Sequence, residues 1–221
     1  MNAGPKGPGL IEGPEAFAEA FKVPRETILA LSRYADLLAH WQRSTNLVAP
    51  STLPQLWSRH LADSAQLLDL APDARLWLDL GSGGGFPGLV IALLRAHRPD
   101  FEMHLVESNQ KKCAFLAEVA RTTKTPVDIH AMRIEEFAEN AQSLRPDVVS
   151  ARALAPLPAL LALAEPFFEE GTRGLFLKGR ETKAEIDAAH GQWTFDLSLH
   201  RSLTANDARI VEVTNLRRRQ S

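Results

Sequence analysis

The sequence predicts an α/β protein: a mostly parallel, doubly wound sheet with a C-terminal antiparallel hairpin, preceded by an N-terminal helical extension. Three observations predict this fold class. From Arg75 onward, apolar segments of strand length alternate with segments of helical length. The first strand leads through a glycine-rich turn, "GSGGGFPG", into a helix. The last two strands are joined by "RSLTANDA", which has no helical pattern and therefore indicates a hairpin.

The N-terminal part of the chain shows helical periodicity and no strand pattern. Residues 1–13 are rich in glycine and proline and lack the apolar segment of a signal peptide, so we expect a disordered tail. The sequence then predicts a helical extension over 14–72 and a sheet domain over 73–221. The helical segments of the extension are 14–21, 24–44 and 51–71.

In the sheet domain, the first strand is almost wholly apolar, as expected of a strand that is buried on both faces of a parallel sheet. Pro87 suits the first turn of the helix that follows the glycine turn. The predicted strands are 75–80, 101–107, 127–131, 147–151, 173–178, 193–200 and 209–215. The predicted helices are 87–96, 109–121, 134–140, 157–168 and 181–190.

The glycine-rich turn predicts a nucleotide-binding loop. Glycine there permits positive φ and lets the backbone approach a ligand, while the next helix offers unpaired N–H groups to an anion. The dinucleotide pattern G-x-G-x-x-G fits from Gly83 to Gly88, but it puts Pro87 where helix and strand must be closest. The pattern acid-x-G-x-G-x-G fits without that conflict, through Asp79, Gly81, Gly83 and Gly85.

Glu107 ends the next strand, about two dozen residues beyond the turn. A carboxylate at that position binds both ribose hydroxyls in nicotinamide enzymes and in methyltransferases alike. Glu107 therefore supports a nucleoside ligand and leaves its identity open.

Several further motifs make a family resemblance specific. Five parallel strands plus a terminal hairpin resemble the Rossmann-like fold of class I S-adenosylmethionine-dependent methyltransferases. The whole set, spanning about 24–200, resembles the bacterial ribosomal RNA small subunit methyltransferase G family, also called glucose-inhibited division protein B. The motifs, besides the glycine turn, are "NLV" at 46–48, "RHLADS" at 59–64, "RIEEF" at 133–137, "SARA" at 150–153 and "LKG" at 177–179.

The resemblance implies an enzyme that transfers a methyl group from S-adenosylmethionine to N7 of guanine 527 in 16S rRNA, releasing S-adenosylhomocysteine. It implies that Asp79 positions the methionine amino group. The cofactor contacts that it implies elsewhere are Gly81, Phe86, Ile134, Glu135 and Arg152. The C-terminal segment "DARIVEVTNLRRR" departs from the family pattern.

The chemistry agrees with a ring-nitrogen target. Guanine N7 carries an in-plane lone pair and no proton, so the reaction needs orientation and no general base. Attack through a pyrimidine C5 would need a nucleophilic cysteine, but the single cysteine, Cys113, lies in a helical pattern and is expected to be a buried apolar residue.

Arg152 and Lys178 are the candidate catalytic residues. Arg152 directly follows the fourth strand, at the edge where α/β proteins bind ligands, and its guanidinium suits the cofactor carboxylate, a phosphate or guanine O6. Lys178 ends the fifth strand and suits an RNA phosphate. The alternative for each is a solvated charge on a loop.

Other charged and aromatic residues have weaker patterns. His60 and Asp63 are three residues apart on a predicted helix, where they would face the same side and could bond each other, and we expect them to fix the extension against the cofactor cleft. Trp41 and Trp57 have apolar neighbours at helical spacing and are expected in the core. The candidate RNA contacts are Arg121, Lys124, Lys178, Arg180, Lys183, Arg217, Arg218 and Arg219.

Composition sets the remaining expectations. The chain has 221 residues, a formal net charge of −2 and one cysteine, so it has no intramolecular disulfide and no cysteine-rich metal site. We expect a cytoplasmic monomer that binds 16S rRNA or the 30S subunit and needs neither metal nor membrane. The alternatives are a methyltransferase acting on a small molecule or protein, a cofactor-binding module without turnover, and a nicotinamide oxidoreductase.

Overall fold

A computed structural model describes residues 11–219 and contains one seven-stranded sheet in the order β3-β2-β1-β4-β5-β7-β6. The first five strands run parallel, and β7 pairs antiparallel with both β5 and β6. This confirms the predicted parallel sheet with a terminal hairpin. The strands are β1 Leu76–Leu80, β2 Glu102–Val106, β3 Asp128–His130, β4 Val148–Arg152, β5 Arg173–Lys178, β6 Trp193–Arg201 and β7 Arg209–Arg218.

Helices cover both faces of the sheet. None of the helices within 11–219 has the length and apolar character needed to cross a bilayer. The helices are α1 Pro14–Phe21, α2 Arg25–Trp41, α3 Asp63–Ala65, α4 Gly88–Arg95, α5 Gln110–Thr123, α6 Ile134–Asn140, α7 Leu157–Ala164 and α8 Thr182–Ala189. Of the predicted tail, residues 1–10 lie outside the described part of the chain.

Alternating side chains of the strands feed two hydrophobic cores. Trp77 of β1 lies in a core shared with α1, α2, α4 and α5, whereas Leu78 and Leu80 lie in the core under α6, α7 and α8. The helical extension belongs to the first core, because Leu31 and Leu38 of α2 are fully buried against α4 and α5. Extension and sheet therefore share one packed interior. The two tryptophans expected in the core, Trp41 and Trp57, are partly buried against it.

The predicted helix over 51–71 is wrong as a single regular helix. This segment is a 3₁₀ helix over Pro50–Gln55, a π-helix over Trp57–Ala62, α3, and a second 3₁₀ helix over Gln66–Asp69. A π turn is wider than an α turn, so residues three apart no longer align on one face. The bond that helical spacing would allow between His60 and Asp63 is accordingly absent from the described contacts, and each side chain has other partners.

The hairpin connection at 202–208 is tied to the helical extension. Asp63 Oδ1 accepts hydrogen bonds from Ser202 Oγ at 3.2 Å and from Thr204 Oγ1 at 2.8 Å. Gln66 Oε1 accepts from the Leu203 amide at 2.8 Å. These contacts hold the hairpin connection over the same sheet edge as the glycine turn.

Candidate active site

The candidate site lies at the carboxyl edge of the parallel strands. The order β2-β1-β4 places the glycine turn that follows β1 between Glu107, after β2, and Arg152, at the end of β4. The connections that leave β1 and β4 lead to opposite sides of the sheet, through α4 and α7, which leaves the crevice where α/β proteins bind ligands.

Within the turn, the glycines have different neighbours. Gly81, Gly83 and Gly85 have φ values of 67°, 57° and 93°. A Cβ added to Gly83 would meet only the Gly81 carbonyl oxygen, at 3.7 Å, so the space in front of Gly83 is open. A Cβ on Gly81 would lie 2.6 Å from Leu154 Cδ1. Gly83 therefore has open space in front of it, whereas a side chain on Gly81, which lines the crevice beside Glu107, would meet Leu154.

Behind the turn, the helical extension supplies its support. Tyr34 of α2 is fully buried, donates a hydrogen bond to the Gly84 carbonyl and stacks on Phe86, with ring centroids 5.4 Å apart. A Cβ on Gly85 would lie 2.6 Å from the Tyr34 hydroxyl. Leu47, from the "NLV" motif, lies against Gly84. Sequence reasoning missed Tyr34, since nothing in the pattern of α2 distinguishes it from a core residue.

Asp79 lies beneath the turn, with no exposed surface. Its Oδ1 accepts from Ser150 Oγ at 2.7 Å and its Oδ2 from the Gly88 amide at 3.2 Å. Burial raises the pKa of Asp79 to about 6, although the hydrogen bonds from Ser150, Ser82 and Gly88 oppose that shift. In this structure Asp79 joins β1 to β4 and to the start of α4, and its predicted contact with a methionine amino group stays a prediction.

Glu107 bridges the two sides of the crevice. Its Oε2 accepts from the Gly83 amide at 2.9 Å and its Oε1 from the Asn109 amide at 2.8 Å. Its side chain is buried but reaches the surface of a 250 Å³ crevice. The other members of that crevice wall include Gly81, Met132, Ile134, Glu135 and Leu154.

The predicted cofactor residues at the start of α6 therefore do lie beside Glu107. Ile134 is buried and presents an apolar wall, while Glu135 is exposed at the rim. An apolar slot next to a carboxylate has the chemistry of an adenosine site, in which the base needs a flat apolar contact and the ribose needs hydrogen-bond acceptors.

Arg152 is held on three sides. Its Nη1 donates to the Arg59 carbonyl at 3.1 Å, its Nη2 donates to His60 Nδ1 at 2.8 Å, and its Cζ lies 4.7 Å from the centroid of the Phe86 ring. Burial lowers the pKa of His60 to about 3, and the charges of Arg152 and Arg59 add to that effect. His60 is therefore a neutral acceptor beside a fixed guanidinium.

A second cavity, of 440 Å³, opens on the other side of Arg152. We call it the acceptor cavity. Ala153 and Leu154 line both this cavity and the crevice of Glu107, so they form the partition between the two. Ala153 has a φ of 51°, a conformation that is unusual for alanine and that is found preferentially at functional sites. The remaining wall includes Thr52, His60, Asp63, Lys178, Glu185 and Thr204.

Lys178 lines the acceptor cavity, and its ammonium group is paired within the protein. Its Nζ lies 2.8 Å from Glu185 Oε2 and donates to the Ala155 carbonyl at 2.5 Å. Glu185 Oε2 also accepts from the Leu157 amide at 2.7 Å. Lys178 and Glu185 together fix the segment that follows Arg152, and Glu185 is a residue that sequence reasoning missed.

The candidate RNA contacts fall at two opposite edges of the sheet. Lys178 ends β5, Arg180 follows it and Lys183 lies in the first turn of α8, so all three lie near the acceptor cavity. The remaining candidates lie at the end of α5 or of β7, and both elements run away from the site edge. The residues at that far edge are Arg121, Lys124, Arg217, Arg218 and Arg219.

The residues of the site contain no evident metal centre. Across 11–219, no group of three or more His, Cys, Asp or Glu side chains is arranged to hold a metal ion. Cys113 is buried on α5 and its Sγ lies 3.1 Å from the Glu107 carbonyl oxygen. Burial raises the pKa of the Cys113 thiol, and the charge of Glu107 adds to this, so the thiol is a poor nucleophile.

Comparison with known proteins agrees with this geometry. The family model described as rRNA small subunit methyltransferase G, GidB, matches residues 27–212. The chain belongs to this family. A relative from Parvibaculum lavamentivorans named ribosomal RNA small subunit methyltransferase G is 50% identical over 211 residues, covering 95% of this chain and 92% of the relative. A relative of the same name from Methylorubrum populi is 52% identical over 196 residues, covering 89% and 92%.

Solved structures that resemble this member of the family share its fold at low sequence identity. An O-methyltransferase from Bacillus cereus in complex with SAH superposes with a TM-score of 0.57 at 14% identity, covering 90% of this chain and 96% of that one. The O-methyltransferase TomG from Streptomyces achromogenes superposes with a TM-score of 0.56 at 15% identity, covering 84% and 89%. These likenesses confirm the methyltransferase fold.

Proposed function

We propose that this chain transfers a methyl group from S-adenosylmethionine to N7 of guanine 527 in 16S rRNA. Family membership supports the reaction class and the rRNA substrate. One observation in the structure favours a ring nitrogen as the target. In the acceptor cavity, the side chains that could take up a proton already accept hydrogen bonds from other residues.

Three side chains in that cavity wall are potential proton acceptors. His60 is neutral, and Arg152 donates to its Nδ1. Asp63 accepts from Ser202 and Thr204, and Glu185 accepts from Lys178 and Leu157. A substrate atom that must lose a proton before methylation would need one of these groups as a base. Guanine N7 has a free lone pair and needs none, so it matches this cavity.

The residues around the turn fit S-adenosylmethionine. The open space at Gly83, the Glu107 carboxylate and the apolar Ile134 wall suit a nucleoside, and the cofactor supplies an electrophilic methyl group on its sulfonium. Glu107 would hold the ribose hydroxyls and Ile134 the adenine. Glu135 and Phe86 complete the proposed contacts at the rim and beneath the turn, and Asp79 acts through the loop that it supports.

Arg152 is the proposed residue nearest to the transferred methyl group. Its guanidinium lies over the Phe86 ring and lines the acceptor cavity next to the partition of Ala153 and Leu154, where it suits the cofactor carboxylate or guanine O6. A direct approach to N7 would oppose the positive charge that develops there. Lys178 acts in this proposal by fixing the Ala155 carbonyl and the partition between cofactor and acceptor.

The experiment is methylation of 16S rRNA and of 30S subunits from cells that lack this gene, with labelled S-adenosylmethionine. We expect label in 7-methylguanosine at position 527, located by nuclease digestion and mass spectrometry. Label in any other nucleoside, or in neither substrate, contradicts the proposal. Comparing the two substrates decides between naked rRNA and the assembled particle.

The proposed setting is the cytoplasm, and the proposed active form is a monomer. Light scattering across a range of protein concentrations, together with activity that scales linearly with concentration, tests the monomer. A concentration-dependent rise in specific activity would contradict it.

A further inference from the structure

A groove of 540 Å³ lies beside the acceptor cavity, between α8 and the β6–β7 hairpin. Its floor is apolar, formed by Ile186, Leu197 and Leu199. Its rim carries Arg180, Lys183, Arg209 and one carboxylate, Asp207. No predicted or proposed role in methyl transfer uses the floor of this groove.

The floor exposes apolar surface that the fold does not cover. Leu197 and Leu199 are two residues apart on β6, so both face the side of the sheet on which α8 packs. Leu197 packs against the core there, but Leu199 is 52% exposed. An apolar surface of this kind beside a ligand cavity marks an interaction site more often than an isolated exposed leucine does.

The rim makes the groove cationic. Lys183 is exposed on the first turn of α8, and Arg209 is fixed at the start of β7 because its Nη1 donates to the Asn206 and Ala208 carbonyls. Asp207 is paired with Arg180 at 2.7 Å, so it offsets that arginine and leaves the other two cations to act on a ligand. An apolar floor between cations complements single-stranded RNA, which presents flat bases and a row of phosphates.

The groove adjoins the acceptor cavity. Gly179 lines both, and Ala208 of the cavity is followed directly by Arg209 of the groove. A strand that places one nucleotide in the cavity therefore has the groove directly beside it for the neighbouring nucleotides.

We propose that this groove binds the RNA nucleotides next to the methylated guanine, with bases against Leu197 and Leu199 and phosphates at Lys183 and Arg209. This inference rests on the proposed function, since it assigns the flanking strand of the same substrate. It makes α8 and the terminal hairpin the part of the molecule that selects RNA, separate from the glycine turn that selects the cofactor.

The test compares the wild-type protein with the variants Leu199→Ser and Lys183→Gln. Their affinities for a 16S rRNA transcript are measured at several salt concentrations. Matched controls lie on α2, on the opposite face of the sheet: Leu29→Ser removes a leucine that is 49% exposed, and Arg33→Gln removes an exposed cation. We expect each groove variant to weaken RNA binding about fivefold, and Lys183→Gln to reduce the slope of log Kd against log salt by about 0.7. S-adenosylmethionine affinity should stay unchanged in all four.

Groove variants that bind the transcript as tightly as the α2 controls overturn the inference. It is also overturned if transcript binding is unchanged and only methylation of 30S subunits falls, since the groove then contacts a ribosomal protein. A wild-type chain that binds the transcript but forms no 7-methylguanosine in either 16S rRNA or 30S subunits would overturn the proposed function and leave the binding result standing. Melting temperatures of the variants identify any loss of folding, and Lys183→Gln, at an exposed position, keeps the test decisive.

Discussion

Arg152 Nη2 and His60 Nδ1 lie 2.8 Å apart, and this contact fixes the tautomer of the histidine. A guanidinium only donates, so Nδ1 must accept and the proton of the neutral ring resides on Nε2. His60 Nε2 therefore donates to Thr52 Oγ1, which lies 2.8 Å away. The Thr52 hydroxyl in turn donates to the Ala49 carbonyl at 2.7 Å. The direction of every bond in the chain from Arg152 to Ala49 is thereby determined.

The first prediction concerns this chain of hydrogen bonds. His60→Phe keeps a ring against Phe86 but removes the acceptor for Arg152. We expect kcat to fall about ten- to hundredfold, the loss associated with a charge-assisted hydrogen bond, while the KM for S-adenosylmethionine changes less. Thr52→Ser, which keeps the hydroxyl, is the control and should retain near wild-type kcat. A His60→Phe variant with unchanged kcat contradicts a positioning role.

The second prediction concerns Gly83. Gly83→Val places a side chain in open space in front of the turn, where the proposed cofactor lies, and we expect calorimetry to detect no S-adenosylmethionine binding. Gly171 is a matched control, because it also has positive φ, 94°, and nothing within 4 Å of an added Cβ. Gly171→Val should carry a similar backbone strain, about 1–2 kcal/mol, and bind the cofactor normally. Normal binding by both variants would show that the ligand does not approach Gly83.

The third prediction concerns Glu107. Glu107→Gln keeps the shape of the side chain but removes the charge that would accept two ribose hydroxyls. We expect cofactor affinity to fall at least about tenfold, because hydrogen bonds to a charged acceptor are roughly twice as strong as neutral ones. Glu102→Gln, at an exposed position at the start of β2, is the control. Equal affinities would remove Glu107 from the binding site.

The sequence predicts helices and strands well where neighbouring residues alone determine them. Strand 173–178 and helices 14–21 and 134–140 match the structure at both ends, since alternation and helical spacing are properties of neighbouring residues. The site edge also follows, because parallel strands place their carboxyl ends together. The glycine turn, Glu107 and Arg152 are therefore brought together as expected.

The pattern of apolar and polar residues does not predict contacts between segments that are distant in sequence. Lys178 looks like a free charge in sequence, but Glu185 on α8 engages it. Nothing near Gly85 in the sequence indicates Tyr34, fifty-one positions earlier, as its packing partner. The irregular π turn at His60 has no sequence signal that distinguishes it from an α-helix, so the helical spacing that would bring His60 beside Asp63 does not hold there.

The fourth prediction concerns the pair of Lys178 and Glu185. Their side chains are only 9% and 21% exposed, so Lys178→Met leaves a buried carboxylate without its cation and should lower the free energy of unfolding by about 3–5 kcal/mol. Adding Glu185→Gln should recover part of that loss. The exposed pair of Arg180 and Asp207 is the control, and Arg180→Gln should cost less than about 1 kcal/mol. Equal losses in the two single variants would contradict a buried pair.

The last prediction concerns two buried groups, Asp79 and His60. Burial favours the neutral form of each, so the pKa of the acid rises and the pKa of the base falls. Burial raises the pKa of Asp79 from 3.8 to about 6, and it lowers the pKa of His60 from 6.5 to about 3. Between pH 4 and 6 the folded chain keeps a proton on Asp79 that the unfolded chain has lost, so this group makes stability fall as pH rises. Over the same interval the unfolded chain carries a proton on His60 that the folded chain lacks, so this group makes stability rise.

Each contribution has a slope of about 1.4 kcal/mol per pH unit, so the two nearly cancel in the wild type. Asp79→Asn should remove the falling component, and its unfolding free energy relative to wild type should increase by up to about 3 kcal/mol from pH 4 to 6. His60→Phe should show the opposite trend over that range. Urea titrations at half-unit pH intervals measure both differences. If the unfolding free energy of each variant differs from that of the wild type by the same amount at every pH, then neither group has the shifted pKa described here.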